Sequence, residues 1–342
     1  MTCGRLKPLA RHQHQNRQPY FPILHEAMTE QPFLYLAPLR GITDVLFRNV
    51  FVRHFGGFDM AVAPFINPQR SPSGKKKMLA DLFPEENTAL PVIPQLLDNR
   101  AEDFLHLAKR LEDLGYTSIN WNLGCPAPMV ANKGRGSGFL PFPDDIIRLL
   151  DTVIPQLSAT LSIKMRLGFH DKGESIDLLP RFNDYPLDEI IIHPRIGKQM
   201  YKGTTDQDGF AACLDLTRHR VVYNGDIISR DVYNALALRF PSIKRWMIGR
   251  GVLADPFLAE ELKGVLTTDQ IERKARIRAF HDELLEAYRQ RLSGPGHLLG
   301  KTKQLWLYLI SSFPGKEKPF KKLKKAKTEE QLLTAVEQIF AE

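Results

Sequence analysis

Short apolar runs alternate with amphipathic segments of helical length along most of this chain. The eight runs are residues 33–37, 59–63, 91–96, 117–122, 161–166, 189–193, 220–224 and 244–248. The helical segments between them are residues 43–55, 101–114, 143–154, 176–183, 209–218 and 230–240. Apolar strands that alternate with helices are typical of a parallel sheet that is covered on both faces. Eight such units in about 230 residues predict a (β/α)8 TIM barrel.

An open, doubly wound sheet is the competing architecture. It would carry a G-x-G-x-x-G turn directly after its first strand. Here the first apolar run is followed by Pro38-Leu39-Arg40-Gly41, which favours the closed barrel.

Polar residues stand at or just beyond the carboxyl end of several predicted strands. They are Gln95, Asn122, Cys125, Lys164, Arg166, His193, Asn224 and Arg250. In a barrel these ends converge on one face, where the active sites of this fold are built. Each residue alone has a structural explanation, such as a snorkelling lysine or a turn asparagine. The set as a whole predicts one active site.

The loops after the last two predicted strands indicate a phosphate-binding site. Asn224-Gly225-Asp226 follows the seventh strand, and Gly249-Arg250-Gly251 follows the eighth. In this fold, loops at these positions usually form the phosphate-binding site, because glycine leaves backbone N–H groups accessible. Arg250 would add a planar fork of donors. Together with Lys164 near the barrel centre, this pattern suits flavin mononucleotide (FMN), since a cation would stabilise its anionic reduced ring.

Cys125 stands in a sharp corner of the chain. The sequence Asn122-Leu123-Gly124-Cys125-Pro126 ends a predicted strand, and glycines follow at positions 134, 136 and 138. Proline fixes φ and glycine permits close backbone approach, so this corner would hold the thiol off the strand end. The spacing leaves two interpretations open: a reactive thiol, or a small apolar side chain that fills the core.

The motif N-x-G-C-P-x-x-x-V with its glycine-rich turn resembles the signature of the tRNA-dihydrouridine synthases. Further pieces of that pattern stand in the same order, namely residues 37–44 (APLRGITD), Gln95, residues 164–168 (KMRLG), His193, residues 224–226 and residues 249–251. The resemblance covers residues 33–262 well and the C-terminal segment loosely. The combination of motifs is specific to the family, although any one motif alone would be weak evidence for it.

The resemblance implies a reaction and a set of site residues. NADPH or NADH would reduce FMN, hydride would pass to C6 of a uridine in tRNA, and Cys125 would protonate C5 as general acid. Asn122 and Arg166 would bind the uridine, and no metal is implied. The residues implied at the cofactor are Pro38, Leu39, Arg40, Gln95, Lys164, His193, Asn224, Gly225, Asp226, Gly249 and Arg250.

Two positions depart from the family pattern. Leu39-Arg40 stands where relatives often carry methionine followed by an acidic or small polar residue. After His193, Pro194-Arg195-Ile196 replaces the familiar Gly-Arg-Thr, although Gln199-x-Tyr201-x-Gly203 is retained. Neither departure removes a catalytic group, so both concern the subclass rather than the function.

Beyond residue 264 the pattern becomes that of a small helical domain. Thr267-x-x-Gln270 resembles a capping box, and helices are predicted around residues 277–288, 298–312 and 329–340. Nine lysines and a single carboxylate, Glu317, lie between residues 300 and 327. Such a run is either a solvated loop or a contact with the phosphate backbone of tRNA. We favour the contact and assign it to Lys321, Lys322, Lys324 and Lys325.

The chain is therefore expected to have three regions. Residues 1–30 are predicted to be a disordered extension, because they show neither helical nor strand period, and Met28 is an alternative start. Residues 31–264 would form the FMN-binding barrel, and residues 265–342 the tRNA-binding helical domain.

Composition adds limits on the partners and the compartment. A net charge of +8 and a pI near 9.3 suit a polyanionic partner. The three cysteines lie far apart and lack C-x-x-C metal spacing. Their odd, sparse count favours a reducing compartment without a disulfide framework. No apolar run approaches the roughly 20 residues needed to span a bilayer. We expect a cytoplasmic monomer that binds tRNA and no membrane.

Two other functions remain open at this point. An FMN-dependent barrel that acts on a free pyrimidine, such as a dihydroorotate-type dehydrogenase, would not need the basic helical tail. An RNA-binding protein with a decayed catalytic site would not need Cys125, Lys164 and Asn224 to be intact.

Overall fold

A computed structural model describes residues 31–68, 79–266 and 269–341. Within these ranges nine strands form one parallel sheet in the order β3-β2-β1-β9-β8-β7-β6-β5-β4. The strands are β1 (Phe33–Leu36), β2 (Met60–Val62), β3 (Val92–Ile93), β4 (Gln95–Leu96), β5 (Ser118–Leu123), β6 (Thr160–Gly168), β7 (Leu187–Ile196), β8 (Arg220–Tyr223) and β9 (Arg245–Ile248).

The two outermost strands of that order are halves of one predicted strand. The run 91–96 is divided at Pro94, so that β3 pairs with β2 while β4 pairs with β5. Proline has no N–H to donate and interrupts the hydrogen-bond ladder. The Pro94 carbonyl still accepts from Asn120 N at 2.9 Å, which keeps the run beside β5. The sheet thus closes into the predicted barrel of eight strands, the third of them split.

Helices connect the strands and cover the barrel. They are α1 (Val45–His54), α2 (Ala101–Asp113), α3 (Pro128–Ala131), α4 (Pro143–Val153), α5 (Gly173–Phe182), α6 (Gln207–Leu214), α7 (Arg230–Arg239), α8 (Arg250–Ala254) and α9 (Leu258–Leu262). The prediction for α6 started and ended too late. The side chain of Asp206 accepts from Gly209 N at 2.7 Å, and this cap begins the helix earlier.

Four helices follow in the C-terminal segment: α10 (Gln270–Arg291), α11 (Pro295–Leu309), α12 (Glu317–Lys325) and α13 (Glu329–Phe340). The prediction named three, because the lysine-rich stretch was not recognised as the helix α12. The side chain of Asp269 caps α10 by accepting from Ile271 N at 2.8 Å. The predicted cap Thr267 lies outside the described residues, as do residues 1–30 with Met28.

Aromatic packing joins α10 to the barrel. The ring of Phe280 lies 5.8 Å from Phe47, 5.8 Å from Phe51 and 5.4 Å from Phe55, in edge-on contacts with α1 and the residue that follows it. Edge-to-face pairs at such distances add stability beyond the area they bury.

No described helix is long and apolar enough to cross a membrane.

Candidate active site

A cavity opens where the barrel strands end. It encloses about 70 Å³ and is lined from β6 by Lys164, from β7 by His193, and from the loops after β1, β8 and β9. The structure therefore brings together most residues predicted at the cofactor: Pro38, Leu39, Lys164, His193, Asn224, Gly225, Asp226, Gly249 and Arg250. Tyr201, which the sequence prediction did not include among the site residues, lines the same cavity. We call this region the mouth.

A larger cavity, about 660 Å³, lies elsewhere, between α8, α10 and residues 311–316. Its Arg273 already pairs with Asp255 at 2.7 Å and with Glu261 at 2.9 Å. Size alone does not mark a site, and we place the candidate site at the mouth because ionisable groups with shifted pKa values converge there.

Hydrogen bonds from both sides hold the backbone of Cys125. The side-chain oxygen of Asn122 accepts from Gly124 N at 3.0 Å and from Cys125 N at 2.8 Å. Ser137 donates to the Cys125 carbonyl from its N–H at 3.0 Å and from Oγ at 3.1 Å. Gly136 has φ of +58°, and a Cβ there would lie 2.6 Å from the Cys125 carbonyl oxygen. The glycine-rich turn is thus needed to pack against the cysteine corner.

A chain of amides extends from this corner into the barrel. Asn122 Nδ2 donates to Gln95 Oε1 at 2.7 Å, and Gln95 Nε2 donates to Asn120 Oδ1 at 2.7 Å. Asn120 Nδ2 in turn donates to Ser162 Oγ at 2.8 Å. The sequence prediction missed Asn120, although its spacing of two from Asn122 puts both on one face of β5. Asn122 therefore holds the backbone of Cys125, and Gln95 in turn holds Asn122.

The Cys125 thiol is half-buried, and burial raises its pKa. The Ala127 N–H and the charges of Arg40, Arg166 and Lys164 oppose that rise without cancelling it. The thiol is consequently protonated at neutral pH, while the groups around it favour the thiolate. This combination is suited to giving up a proton.

Lys164 is a cation whose charge is only partly stabilised. Burial, and then the charge of Arg166, lower its pKa to about 7, while the charge of Cys125 acts in the opposite sense. Its Nζ forms no hydrogen bond with any residue of 31–68, 79–266 or 269–341. A buried amine of this kind gains most from an anionic ligand, which would restore its full protonation.

His193 is surrounded by positive charge. Burial, and then the charges of Arg166, Lys164, Arg195 and Arg250, hold its pKa well below the usual 6.5. The imidazole is therefore neutral at pH 7 and can act both as donor and as acceptor.

A carboxylate links two arginines beside the cavity. Asp226 Oδ2 accepts from Arg195 Nη2 at 2.5 Å, and Oδ1 accepts from Arg250 Nη2 at 2.7 Å. Asp226 has φ of +46°, a left-handed conformation that aspartate tolerates better than most residues. The guanidinium of Arg250 also lies 4.6 Å from the ring centroid of Tyr201. The Asp226 side chain thus fixes the direction of Arg250.

Arg166 is almost fully buried and bonds to backbone carbonyls. Its Nε donates to Gly124 O at 3.1 Å, and Nη1 donates to Ile196 O at 2.8 Å and Met200 O at 2.6 Å. Arg166 therefore ties the cysteine corner to the loop after β7. Its Nη2 is buried, and the guanidinium lies 5.3 Å from the ring centroid of Tyr201.

Two loops leave backbone donors open at the mouth. The N–H groups of Gly225, Gly249 and Arg250 donate to no acceptor among the described residues. A Cβ at Gly249 would lie 3.2 Å from Ala37 Cβ, and one at Gly225 would lie 2.8 Å from Thr205 Cγ2. Glycine thus permits the close packing that aligns these donors, and unpaired N–H groups of this kind suit an oxyanion.

The lysine-rich segment lies outside the mouth cavity. Its four predicted contact residues, Lys321, Lys322, Lys324 and Lys325, are exposed on α12. Three others are held internally: Lys301 pairs with Asp44, Lys303 donates to Ala326 O, and Lys316 donates to Ala341 O at 2.7 Å. The free positive charge is consequently concentrated on α12 and just after it.

The fold and the mouth define a (β/α)8-barrel enzyme with a protonated thiol and a cationic ligand site. Residues 35–341 match the family model described as "Dihydrouridine synthase (Dus)". The chain belongs to the dihydrouridine synthase family. This membership confirms the resemblance identified from the sequence motifs, and with it the predicted class of oxidoreductase.

Curated relatives agree with this assignment. A probable tRNA-dihydrouridine synthase of Rhodobacter capsulatus is 29% identical over 277 residues, 80% of this chain and 84% of the relative. One of Helicobacter pylori is 29% identical over 262 residues, 75% of this chain and 78% of the relative. Among solved structures, histamine dehydrogenase from Rhizobium sp. 4-9 superimposes with a TM-score of 0.50 and 11% identity, covering 80% of this chain and 49% of that one. At that identity the likeness concerns the fold alone.

Proposed function

We propose that this protein is an FMN-dependent tRNA-dihydrouridine synthase that uses NADPH, or NADH, to reduce the C5=C6 bond of a uridine. One observation carries the proposal beyond family membership. An amine with a near-neutral pKa and unpaired backbone donors line one mouth, and a protonated thiol that does not line the cavity lies close enough for its charge to act on that amine. These are the groups that a nucleotide cofactor and a proton-accepting substrate would need.

The mouth fits FMN in its donors and its charge. The N–H groups of Gly225, Gly249 and Arg250 would hold the phosphate, with the Arg250 guanidinium beside them. Lys164 would face the isoalloxazine ring, and Pro38 and Leu39 would form one wall of its site. FMN, when bound, would accept electrons from the nicotinamide and supply hydride to C6 of uridine.

Asp226 has a different role in this proposal from the one first expected. Its carboxylate bonds to Arg195 and Arg250, and a carboxylate would repel a phosphate. Asp226 would therefore position Arg250, rather than contact the cofactor itself.

Cys125 would donate the proton that completes the reduction. Hydride at C6 leaves negative charge on the uracil ring, and a proton delivered to C5 neutralises it. Because burial raises the pKa of the thiol, Cys125 carries the required proton at neutral pH. The charges of Arg40, Arg166 and Lys164 would then stabilise the thiolate that remains.

Neighbouring groups would hold the uracil ring. The neutral His193 lines the cavity and can donate to a ring carbonyl oxygen, and the buried Arg166 near it would add positive charge. Gln95 and Asn122 would act mainly through the cysteine corner, because their amide atoms already bond to each other and to Cys125 N.

Residues 265–342 would form the tRNA-binding domain. A uridine must leave the tRNA stack to reach the mouth, which costs a few kcal/mol. Lysine contacts with phosphates would offset that cost, and α12 presents Lys321, Lys322, Lys324 and Lys325 to solvent.

We further propose that the enzyme acts in the cytoplasm, as a monomer.

The proposal is tested by assaying the purified protein for flavin and for product. We expect a yellow protein with one FMN per chain that forms dihydrouridine in unmodified tRNA when NADPH is supplied. Cys125→Ala, assayed in parallel, should keep the flavin and lose the product. A stably bound nicotinamide without flavin, or no dihydrouridine from a flavin-loaded protein, would contradict the proposal.

Loss of the α12 lysines should weaken tRNA binding. With Lys321, Lys322, Lys324 and Lys325 all replaced by Ala, the slope of log affinity against log salt should flatten by roughly 0.7 to 0.9 per lost phosphate contact. Binding to unmodified tRNA, measured between low and moderate salt, gives this slope. The matched control removes four exposed cations near the amino ends of the strands: Lys109, Arg220, Arg239 and Lys244. Equal affinity of the α12 variant and the wild type at every salt concentration would show that these lysines are only solvated.

A further inference from the structure

Arg40 is an exposed cation on the rim of the mouth. It lies four residues beyond the end of β1 and forms no ion pair within residues 31–68, 79–266 and 269–341. Its contacts there are weak. Nη1 lies 3.2 Å from Met129 Sδ, a poor acceptor, and the guanidinium lies 5.4 Å from the ring centroid of Phe65. Most of the donor capacity of the guanidinium is therefore open to a ligand.

Arg40 stands between the thiol and the helical region. Its partner Met129 lies on α3, which begins three residues after Cys125. On the other side, a Cβ at Gly41 would lie 3.0 Å from Gln304 Oε1 of α11, and Asp44 pairs with Lys301 of the same helix. An RNA strand that lies along the C-terminal helices and enters the mouth would pass Arg40 at the rim.

The interior of the mouth already supplies donors for a uracil ring and a cofactor. Lys164 and His193 line the cavity, whereas Arg40 does not. The groups that remain outside when a uridine enters are its sugar and the phosphates on either side. A planar guanidinium matches a phosphate with two parallel hydrogen bonds.

We propose that Arg40 binds a backbone phosphate of the RNA next to the reacting uridine. This inference rests on the proposed function and replaces the contact with the cofactor that the sequence predicts for Arg40. Arg40 would thus help to determine how the sugar-phosphate backbone of the RNA must run for its uridine to enter the mouth.

The experiment compares Arg40→Ala, Arg40→Lys and Arg220→Ala. Arg220 is also exposed, but it begins β8 at the opposite end of the barrel. Each variant is loaded with FMN, and its binding to an unmodified tRNA transcript is measured without NADPH over a range of salt concentrations. Flavin content is recorded for each.

We expect Arg40→Ala to bind the transcript about tenfold more weakly at moderate salt. Its log–log salt slope should be flatter by roughly 0.7 to 0.9, the effect of one lost phosphate contact. Arg40→Lys should keep the slope, because the charge remains, and Arg220→Ala should match the wild type. Flavin content should be equal in all four proteins.

Two results would overturn the inference. One is wild-type affinity and slope in Arg40→Ala, which would leave the side chain with only its contacts to Met129 and Phe65. The other is a loss of flavin in Arg40→Ala with unchanged tRNA affinity of the flavin-loaded fraction, which would make Arg40 a cofactor residue. Because binding is measured without turnover, the outcome is independent of whether dihydrouridine is formed.

Discussion

Replacing Cys125 by alanine should slow the reaction with tRNA by about 10² to 10⁴, the usual range for loss of a general acid. The variant should still bind FMN and accept electrons from NADPH at a near-normal rate, because neither event needs a proton from this thiol. Rapid mixing separates the two steps, with flavin absorbance followed first against NADPH and then against unmodified tRNA. The expected defect lies entirely in the second step.

Cys125→Ser is the companion variant. Its hydroxyl has nearly the same size but is much less acidic than a thiol, so it should be nearly as slow as Cys125→Ala. If Cys125 were only a packing residue, the serine variant would be almost normal, and the alanine variant would lose stability and both steps together. Normal oxidation of the flavin by tRNA in Cys125→Ala would remove the catalytic assignment.

Lys164→Ala should lose FMN affinity and turnover by about 10² or more, by analogy with the removal of one preorganised donor. In the wild type the pKa of Lys164 is lowered to about 7 by burial, so the amine is half protonated at neutral pH. The isoalloxazine ring that Lys164 would face is anionic when reduced, so reduced FMN binds the protonated amine better and must draw a proton into the site. The affinity for reduced FMN, kept reduced under anaerobic conditions, should therefore fall as pH rises from 7 towards 9, where the phosphate charge no longer changes.

Titrations of the flavin-free protein at several pH values measure this effect. Lys164→Ala should show weak affinity that no longer depends on pH in this range. Lys164→Arg should also lose the pH dependence, because a guanidinium stays charged, but it should retain more of the affinity. The exposed Lys109→Ala serves as the control. An unchanged pH dependence in Lys164→Ala would place the titrating group elsewhere.

The barrel could be predicted from the sequence because its signal is local. Each strand is an apolar run, and burial on both faces requires such a run whatever the neighbouring strands are. The break at Pro94 is also local, since proline cannot continue a ladder. The ends of α6 were less predictable, because the cap formed by Asp206 depends on one side-chain rotation.

Most residues at the mouth could be predicted for a topological reason. The carboxyl ends of parallel strands meet, so a polar residue at each end is close to the others. What each side chain does there could not be predicted. The carboxylate of Asp226 bonds to Arg195 of β7 and to Arg250 at the start of α8, and Arg166 bonds to three backbone carbonyls. Such partners depend on loop paths that the strand pattern does not determine.

Which lysines of the lysine-rich segment are exposed could not be predicted from the sequence either. A count along the chain treats its nine lysines alike. In the fold, Lys301 and Lys303 are held by Asp44 and by a backbone carbonyl, whereas the lysines of α12 remain exposed. Which charges are free depends on tertiary contacts, and the sequence alone does not give these.

The residues at the mouth would reduce a uridine of tRNA with electrons from a bound flavin. A direct test is to reduce the protein with NADPH under anaerobic conditions and to mix it rapidly with tRNA that lacks dihydrouridine. We expect the absorbance of oxidised flavin to return and one dihydrouridine to appear for each flavin oxidised. Reduced flavin that persists in the presence of tRNA, yet reacts readily when dioxygen is admitted, would contradict it.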